Sequence, residues 1–399
     1  MNQTIRNRIN QIKNGQVPEG YEKTSFGIFP VDWEKKKRLK SLGDFSKGKG
    51  LPGTALINEG VPCVGYGDIY MKYNYHFNKA KSFVDKDTAK ESQAIEKGTL
   101  LFTGTGETAL EIGKCICYNG DEIIYAGGDI LLFNSNSVNP LFLAYQQNIE
   151  FAIKQKAKYG QGHSVVHIQR NNLEKLNVAY PKSQTEQAKI AEILMKWDEA
   201  IEAQEQLIQK LEIRKKALMQ KLLTPKEGWK NCKLKDICII TTGKLDANAM
   251  VEDGKYIFFT CSKEIYKIDK FAFDCEALLI AGNGDIGDIK YYKGKFNAYQ
   301  RTYVLYDFKF NIHYTMQYLL KHFNKEVMKG MQKSSMPYIK LGLLQNAKIY
   351  YKGDILEKVE RILSLADTEI ELHKQQLEQL TKQRKSLMQL LLTGIVRTV

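Results

Sequence analysis

Two stretches of the chain repeat one spacing of apolar side chains. Along residues 190–224 the seam positions are Ile190, Leu194, Trp197, Ile201, Gln204, Ile208, Leu211, Lys215, Leu218 and Leu222, in alternating steps of four and three. Along 359–393 they are Val359, Leu363, Ala366, Ile370, His373, Leu377, Leu380, Arg384, Leu387 and Leu391. A 3.5-residue period sustained over several heptads predicts α-helices that bury one seam in a coiled coil. The two stretches align without a gap at an offset of 169, and 14 of their 35 positions are identical, Asp198 and Asp367 among them. The polar interruptions coincide as well, Gln204 with His373 and Lys215 with Arg384. Polar seam residues cost stability but fix register and partner, so matched interruptions predict that the two helices pair with each other. At 1.5 Å per residue such a helix is about 50 Å long, against about 34 Å for ten base pairs of DNA.

Between and before the helices lie two globular stretches, 30–182 and 227–352, which echo each other more weakly. Each opens near a tryptophan, Trp33 or Trp229, and each holds an apolar run entering Gly-x-Gly, Leu100–Gly106 or Leu278–Gly284. Each closes with a short polar loop and a strand, 162–168 or 333–339. Short strands mixed with helical segments at 141–158 and 314–331 make both stretches α+β. The order is domain, helix, domain, helix. Residues 1–29 begin with a short basic helix that either extends the helical stem or is a loose tail.

Charge adds a class of partner. The chain has 59 Lys and Arg against 45 Asp and Glu, a net charge of +14, which favours polyanions, nucleic acid above all. The first ten residues, MNQTIRNRIN, have no apolar core of a secretory signal, and no apolar run is long enough for a membrane span, so no membrane association is expected. Seven scattered cysteines without a CxxC pair fit free thiols in a reducing, cytoplasmic setting. Cys115 and Cys117 sit two apart in a strand-like run and share one face.

Several familiar spacings fail their structural context. Gly282-Asn283-Gly284-Asp285-Ile286-Gly287 matches GxGxxG, but a dinucleotide site needs a helix to follow, and a strand-like run follows here. Gly106 to Lys114 has the wrong spacing for a P-loop, and Cys115 cannot replace the magnesium-binding hydroxyl. His163 and His167 are four apart without the glutamate of a zinc helix. No catalytic residue and no metal ligand is assigned.

With these features in hand, the chain resembles the specificity subunits of type I restriction–modification systems over nearly its whole length. Gln184–Leu194 is similar to the family's entry into its first long helix, Lys216–Thr224 to its exit, and Lys385–Arg397 to the second exit. Gly20-Tyr21 through Trp33 resembles the lead into a recognition domain. The second helix entry departs, because Tyr350–Asp354 lacks the proline and Glu-Gln pair found at 181–187. The resemblance implies a lead-in at 1–29, target-recognition domains at 30–182 and 227–352, and spacer helices at 184–226 and 354–396. It implies a non-catalytic subunit that binds double-stranded DNA at an asymmetric, bipartite site. Its partners would be methyltransferase subunits that modify adenine and restriction subunits that translocate and cut. S-adenosylmethionine, ATP and magnesium would then be held by the partners and no cofactor by this chain. The alternative is a coiled-coil scaffold with two protein-binding domains.

Phosphates supply affinity and base edges supply sequence, so basic and amide side chains in the loops are the candidates. In the first domain these are Lys47, Lys49, Lys158, Gln161, His163, Ser164, Gln169 and Arg170, with Lys72, Tyr73, Tyr75, Lys154, Lys156 and Tyr159 in the same clusters. In the second they are Lys290, Arg301, Lys333, Ser334, Ser335 and Lys340, with Tyr291, Tyr292, Tyr299 and Gln300 nearby. Arg and Gln suit bidentate contacts to guanine and adenine.

Overall fold

The two heptad stretches form the two longest helices, Gln184–Leu222 and Leu356–Leu392. The computed structural model describes residues 3–162, 165–330, 338–353 and 355–398, and side chains of these except at 324–330. Every seam position named above, Leu194, Trp197, Ile201, Ile208, Leu211, Leu218, Leu363, Ile370, Leu377, Leu380 and Leu387 included, is buried or half-buried. Leu222 falls just before the Thr224-Pro225 step, where the residue preceding proline is driven out of the helical region. The helices are 39 and 37 residues long, longer than the repeat alone, because each begins before the first seam residue.

The chain divides into two compact units, Met1–Ala203 with Leu377–Val399, and Gln204–Gln376, so each unit owns one globular stretch and a part of both helices. Within each unit the two helix portions run antiparallel. In the second unit Gln204 Nε2 lies 2.8 Å from His373 Nδ1, and Glu212 pairs with Lys374 at 2.7 Å. The other matched interruption does not face its counterpart. Lys215 pairs with Asp367, and in the first unit Arg384 pairs with Asp198 at 2.6 Å. Each basic residue stands eleven positions after the Gln204 or His373 interruption, and each aspartate six before it. Antiparallel pairing thus brings opposite charges together where parallel pairing would oppose like ones.

In the first unit a five-stranded sheet has the order Gly43–Lys47, Ile130–Ser135, Thr99–Thr103, Cys115–Tyr118, His76–Phe77. Its strands read as continuous apolar runs because both faces are covered. Leu100, Phe102, Cys115, Cys117 and Phe133 face a core completed by the helices Pro140–Gln146 and Glu150–Ala157 and by Ile190, Leu194 and Leu391 of the long helices. Leu101, Ile116, Ile130 and Leu132 face the opposite way, onto Val64, Ile95 and Ala126 of a four-stranded sheet. In the second unit a six-stranded sheet begins with Ile239–Thr242, Thr302–Tyr306, Phe273–Ala281 and Ile289–Ala298. This is the strand order of the first four strands above, which makes the weak sequence echo a duplicated fold. Leu278, Ile280 and Leu305 pack toward the helix Ile312–Gly330 and toward Val359 and Leu363 of the second long helix.

The N-terminal segment is not a loose tail. Residues Tyr21–Thr24 and Gly27–Pro30 form a hairpin, Tyr21 donates to the Gly394 carbonyl at 2.7 Å, and Arg8 donates to the Ile395 carbonyl at 3.3 Å. Gly394 has φ +71°, and a Cβ there would meet Pro30 Cγ at 2.5 Å. Two demands, a left-handed backbone and close approach, therefore fix glycine at this position.

Candidate nucleic-acid interface

Both globular domains carry the same loop anchor. In the first, the Ile168 amide donates to the Gly104 carbonyl at 2.9 Å and the Gly104 amide to the Asp129 carbonyl at 3.1 Å. In the second, Ile339 donates to Gly282 at 2.8 Å and Gly282 to Arg301 at 3.0 Å. Gly104 and Gly282 are therefore equivalent anchors of the closing loop of each domain, although Thr105–Gly106 continues as a short strand and Gly282–Gly287 is a turn. Gly282–Gly287 connects strand Phe273–Ala281 to its antiparallel neighbour Ile289–Ala298, with Gly284 and Gly287 at φ +59° and +79°. It is the turn of a hairpin and runs into a strand, not into the helix that a dinucleotide fingerprint requires.

The structure gathers some of the candidates and disperses others. Gln161 lies at the mouth of the first closing loop, its main chain doubly bonded to His167 at 3.0 and 2.8 Å, while Val166–His167 pairs with Thr105–Gly106. Gln169 and Arg170 follow on the same loop, both exposed. Arg170 Nε holds Glu174 at 2.7 Å and its guanidinium lies 6.0 Å from the Phe45 ring, which places it beside the strand that ends at Lys47. Lys47 and Lys49 are exposed on that strand and the turn after it. In the second domain Arg301 and Lys340 are exposed and flank the Gly282 anchor. His163, Ser164, Lys333, Ser334 and Ser335 lie outside the described residues.

Lys290 is engaged within the fold, its ammonium paired with Asp288 and donating to the Ser262 carbonyl at 2.9 Å. Lys158 is exposed, but on the wall of a separate cavity with Lys23, Phe26 and Tyr159, at the end of helix Glu150–Ala157. Gln300 donates to Asp246 at 3.1 Å. Of the neighbouring residues, Tyr73 is buried against Phe77, and Lys72 pairs with Asp68 at 2.8 Å. Tyr75 stacks under the Arg384 guanidinium at 3.9 Å, which turns it toward the helices. Both tyrosines lie in the irregular turn before strand His76–Phe77, where local composition cannot separate inward aromatic residues from outward ones.

Lys156 is the clearest departure from its expected role. It is 1% exposed, and its ammonium donates to the carbonyls of Gly113 and Gln147 at 2.5 and 2.8 Å, with no carboxylate paired to it among the described residues. Burial pushes its pKa down to about 8. Below that pH the lysine is charged in both folded and unfolded chains, and the cost of burying the charge is present in full. As pH rises from about 8 toward the ordinary lysine range near 10.4, the folded form sheds its proton first and the cost is relieved. Stability measured by denaturant unfolding should therefore rise across that interval, and Lys156→Met should remove this part of the rise. Equal slopes in the two proteins would exclude a folded-state shift at Lys156.

The anchors of each domain on its stem were not foreseen. Tyr145 donates to Asp198 at 2.7 Å, and Gln317 donates to Asp367 at 2.6 Å, so the carboxylate of each helix ion pair also receives a hydrogen bond from the helix of the adjoining domain. Carboxylate and burial together push the Tyr145 hydroxyl pKa up, burial being the larger cause. The available signal was the repeat itself, which conserves an aspartate and a basic seam residue in both copies. Glu186 and Gln187 also gain a role. Glu186, 2% exposed, is held by Arg397 at 2.6 Å, while Gln187 ties the Pro181 carbonyl to the Asn139 amide. Among the described residues no cluster of metal-ligating side chains occurs, and no helix is long and apolar enough to cross a membrane.

The duplicated domains and paired helices have counterparts among known proteins. A family model for the type I restriction modification DNA specificity domain matches residues 30–213 and again 226–382. The chain belongs to this family. It is similar to the EcoDI specificity subunit of Escherichia coli, 37% identical over 170 residues, which are 41% of this chain and 37% of that one. The chain thus matches little more than a third of the length of that relative. It is also similar to the MjaVIII specificity subunit of Methanocaldococcus jannaschii, 26% identical with 92% of this chain and 94% of that one covered. Among solved structures, a type I S subunit from M. genitalium shares the fold, with a TM-score of 0.61, 21% identity, and coverage of 90% and 96%. This specificity subunit therefore has the α+β architecture expected of it, two recognition domains alternating with two paired helices.

Proposed function

We propose that this specificity subunit reads an asymmetric, bipartite site in double-stranded DNA, one half with each recognition domain, and carries no catalytic centre of its own. The bound DNA is presented to methyltransferase subunits that transfer a methyl group from S-adenosylmethionine to adenine, and to ATP- and magnesium-dependent restriction subunits. The cofactors belong to those partners, and the assembly works in the cytoplasm. One observation carries this reading: two domains share a strand order and a loop anchor while the exposed side chains around that anchor differ. A common scaffold with divergent loops is what two different half-sites require. Helices of 39 and 37 residues, about 55–60 Å each at 1.5 Å per residue, have the length to serve as the spacer.

The test is a map of methylated adenines in cells that express the methyltransferase partner with and without this chain. One gapped, asymmetric motif should depend on the chain, and exchanging residues 30–182 for those of another recognition domain should change only one half of it. A map that is the same with and without the chain would refute the reading. Binding of the purified complex to DNA should also weaken steeply with salt, since each neutralised phosphate releases a counterion.

A further inference from the structure

The loop anchor leads to one further position in each domain. The segments Gly127-Gly128-Asp129 and Tyr299-Gln300-Arg301 precede equivalent strands and are held by equivalent backbone bonds. Gly127 donates to the Val64 carbonyl at 3.0 Å and Tyr299 to Phe259 at 2.9 Å. Gly128 donates to Gly50 at 3.1 Å and Gln300 to Leu245 at 2.8 Å. Ile130 and Thr302 close the same turn back to Gly127 and Tyr299, at 3.3 and 2.8 Å. The carbonyls of Asp129 and Arg301 receive the anchor glycines, as described above. Asp129 and Arg301 are therefore the same position in the two domains, although the segments share no residue. Both side chains are exposed, and neither has a hydrogen bond or ion-pair partner among the described residues. Their backbones are fixed, so each side chain is presented from a rigid support.

Opposite charge at one position decides between two uses. A phosphate-contacting position would favour arginine and repel aspartate, so it could not serve both domains. Base edges accommodate both, because arginine donates to guanine O6 and N7 and a carboxylate accepts from the cytosine N4 amine. We propose that residues 129 and 301 are the equivalent base-reading positions of the two domains, Arg301 selecting a guanine in one half-site and Asp129 a cytosine in the other. This rests on the DNA-binding reading above.

The experiment uses the complete chain co-expressed with its methyltransferase partner and compares methylated-adenine maps. The variants are Arg301→Gln and the paired exchange Gly128→Gln with Asp129→Arg. A Cβ at Gly128 meets nothing nearer than the Gly50 carbonyl oxygen at 3.5 Å, so the exchange is sterically open. Arg301→Gln should relax or change one guanine in one half-site, and the exchange one cytosine in the other, with a preference change of roughly five- to 150-fold at that base pair. If a variant abolishes methylation, its purified complex is titrated with duplexes carrying each single-base-pair change of the parental motif. Recovery of binding on one such duplex supports the assignment, and recovery on none overturns it. Parental motifs in both variants overturn it as well. Absence of any chain-dependent motif with the parent protein is a different failure, that of the DNA-binding reading itself.

Discussion

Asp198→Ala is expected to destabilise the first unit by about 3–5 kcal/mol, the largest effect of any single charged substitution considered. Arg384 is 6% exposed, stacks on Tyr75 at 3.9 Å, and has Asp198 as its ion-pair partner at 2.6 Å. Removing the carboxylate strands a guanidinium in a nearly dry site and takes the shorter of two hydrogen bonds from the Tyr145 hydroxyl, leaving His76 Nδ1 at 3.2 Å. The guanidinium cannot escape the cost by losing its proton. Asp367→Ala at the equivalent place in the second unit should cost clearly less. Asp367 is 42% exposed and Lys215 16%, so water can take over part of the lost interaction. Urea unfolding of the two variants beside the parent protein measures both. Equal losses would mean that burial of the Arg384 pair does not set the cost.

Arg397→Ala is the second large effect, expected at about 2–4 kcal/mol. Arg397 spans Glu186 at 2.6 Å and Asp32 at 2.9 Å, and so joins the end of the chain to the start of the first long helix and to the first recognition domain. Without it Glu186, 2% exposed, keeps a buried charge with no other cation paired to it among the described residues. The loss should be smaller than that of Asp198→Ala because the Arg397 side chain is itself 24% exposed. The pH dependence has a definite sign. The Arg397 guanidinium holds the Asp32 carboxyl below its usual range. That contribution is present above the ordinary aspartate pKa and is lost as pH falls through the depressed value. Arg397→Ala should flatten the loss of stability in acid, and an unchanged acid limb would show that the pair adds nothing.

Much of this architecture was legible in the sequence because a coiled-coil seam is a one-dimensional signal. Twenty seam positions at fixed spacing specify two helices, and a gapless repeat specifies that they are matched. The Gly-x-Gly echo and the short closing loops were legible for a similar reason, since tight turns demand particular residues at particular offsets. Lys156, Tyr73 and Tyr75 were equally legible as DNA-contact candidates, yet the fold buries them or turns them inward, while Asp129 stood out by no local signal. Lys156 lies on the short helix Glu150–Ala157 and Tyr73 and Tyr75 in the irregular turn before strand His76–Phe77, and in such short elements charge and aromaticity do not reveal which way a side chain points. Lys156 looks like any surface lysine until Gly113 and Gln147 are found to turn their carbonyls onto it.

The sequence by itself determined the order of domains, the helical stem, the positions of its polar interruptions and the family. Those properties follow from periodicity and from residues near one another along the chain. Only the tertiary structure decided that the helices run antiparallel, so that Lys215 and Arg384 meet aspartates instead of each other. It alone showed that Arg8 and Tyr21 are bound to Ile395 and Gly394, and that Asp129 and Arg301 occupy one position in two domains. Each of these depends on contacts between residues tens to hundreds of positions apart, and no local pattern of side chains records which distant backbone carbonyl an amide will find.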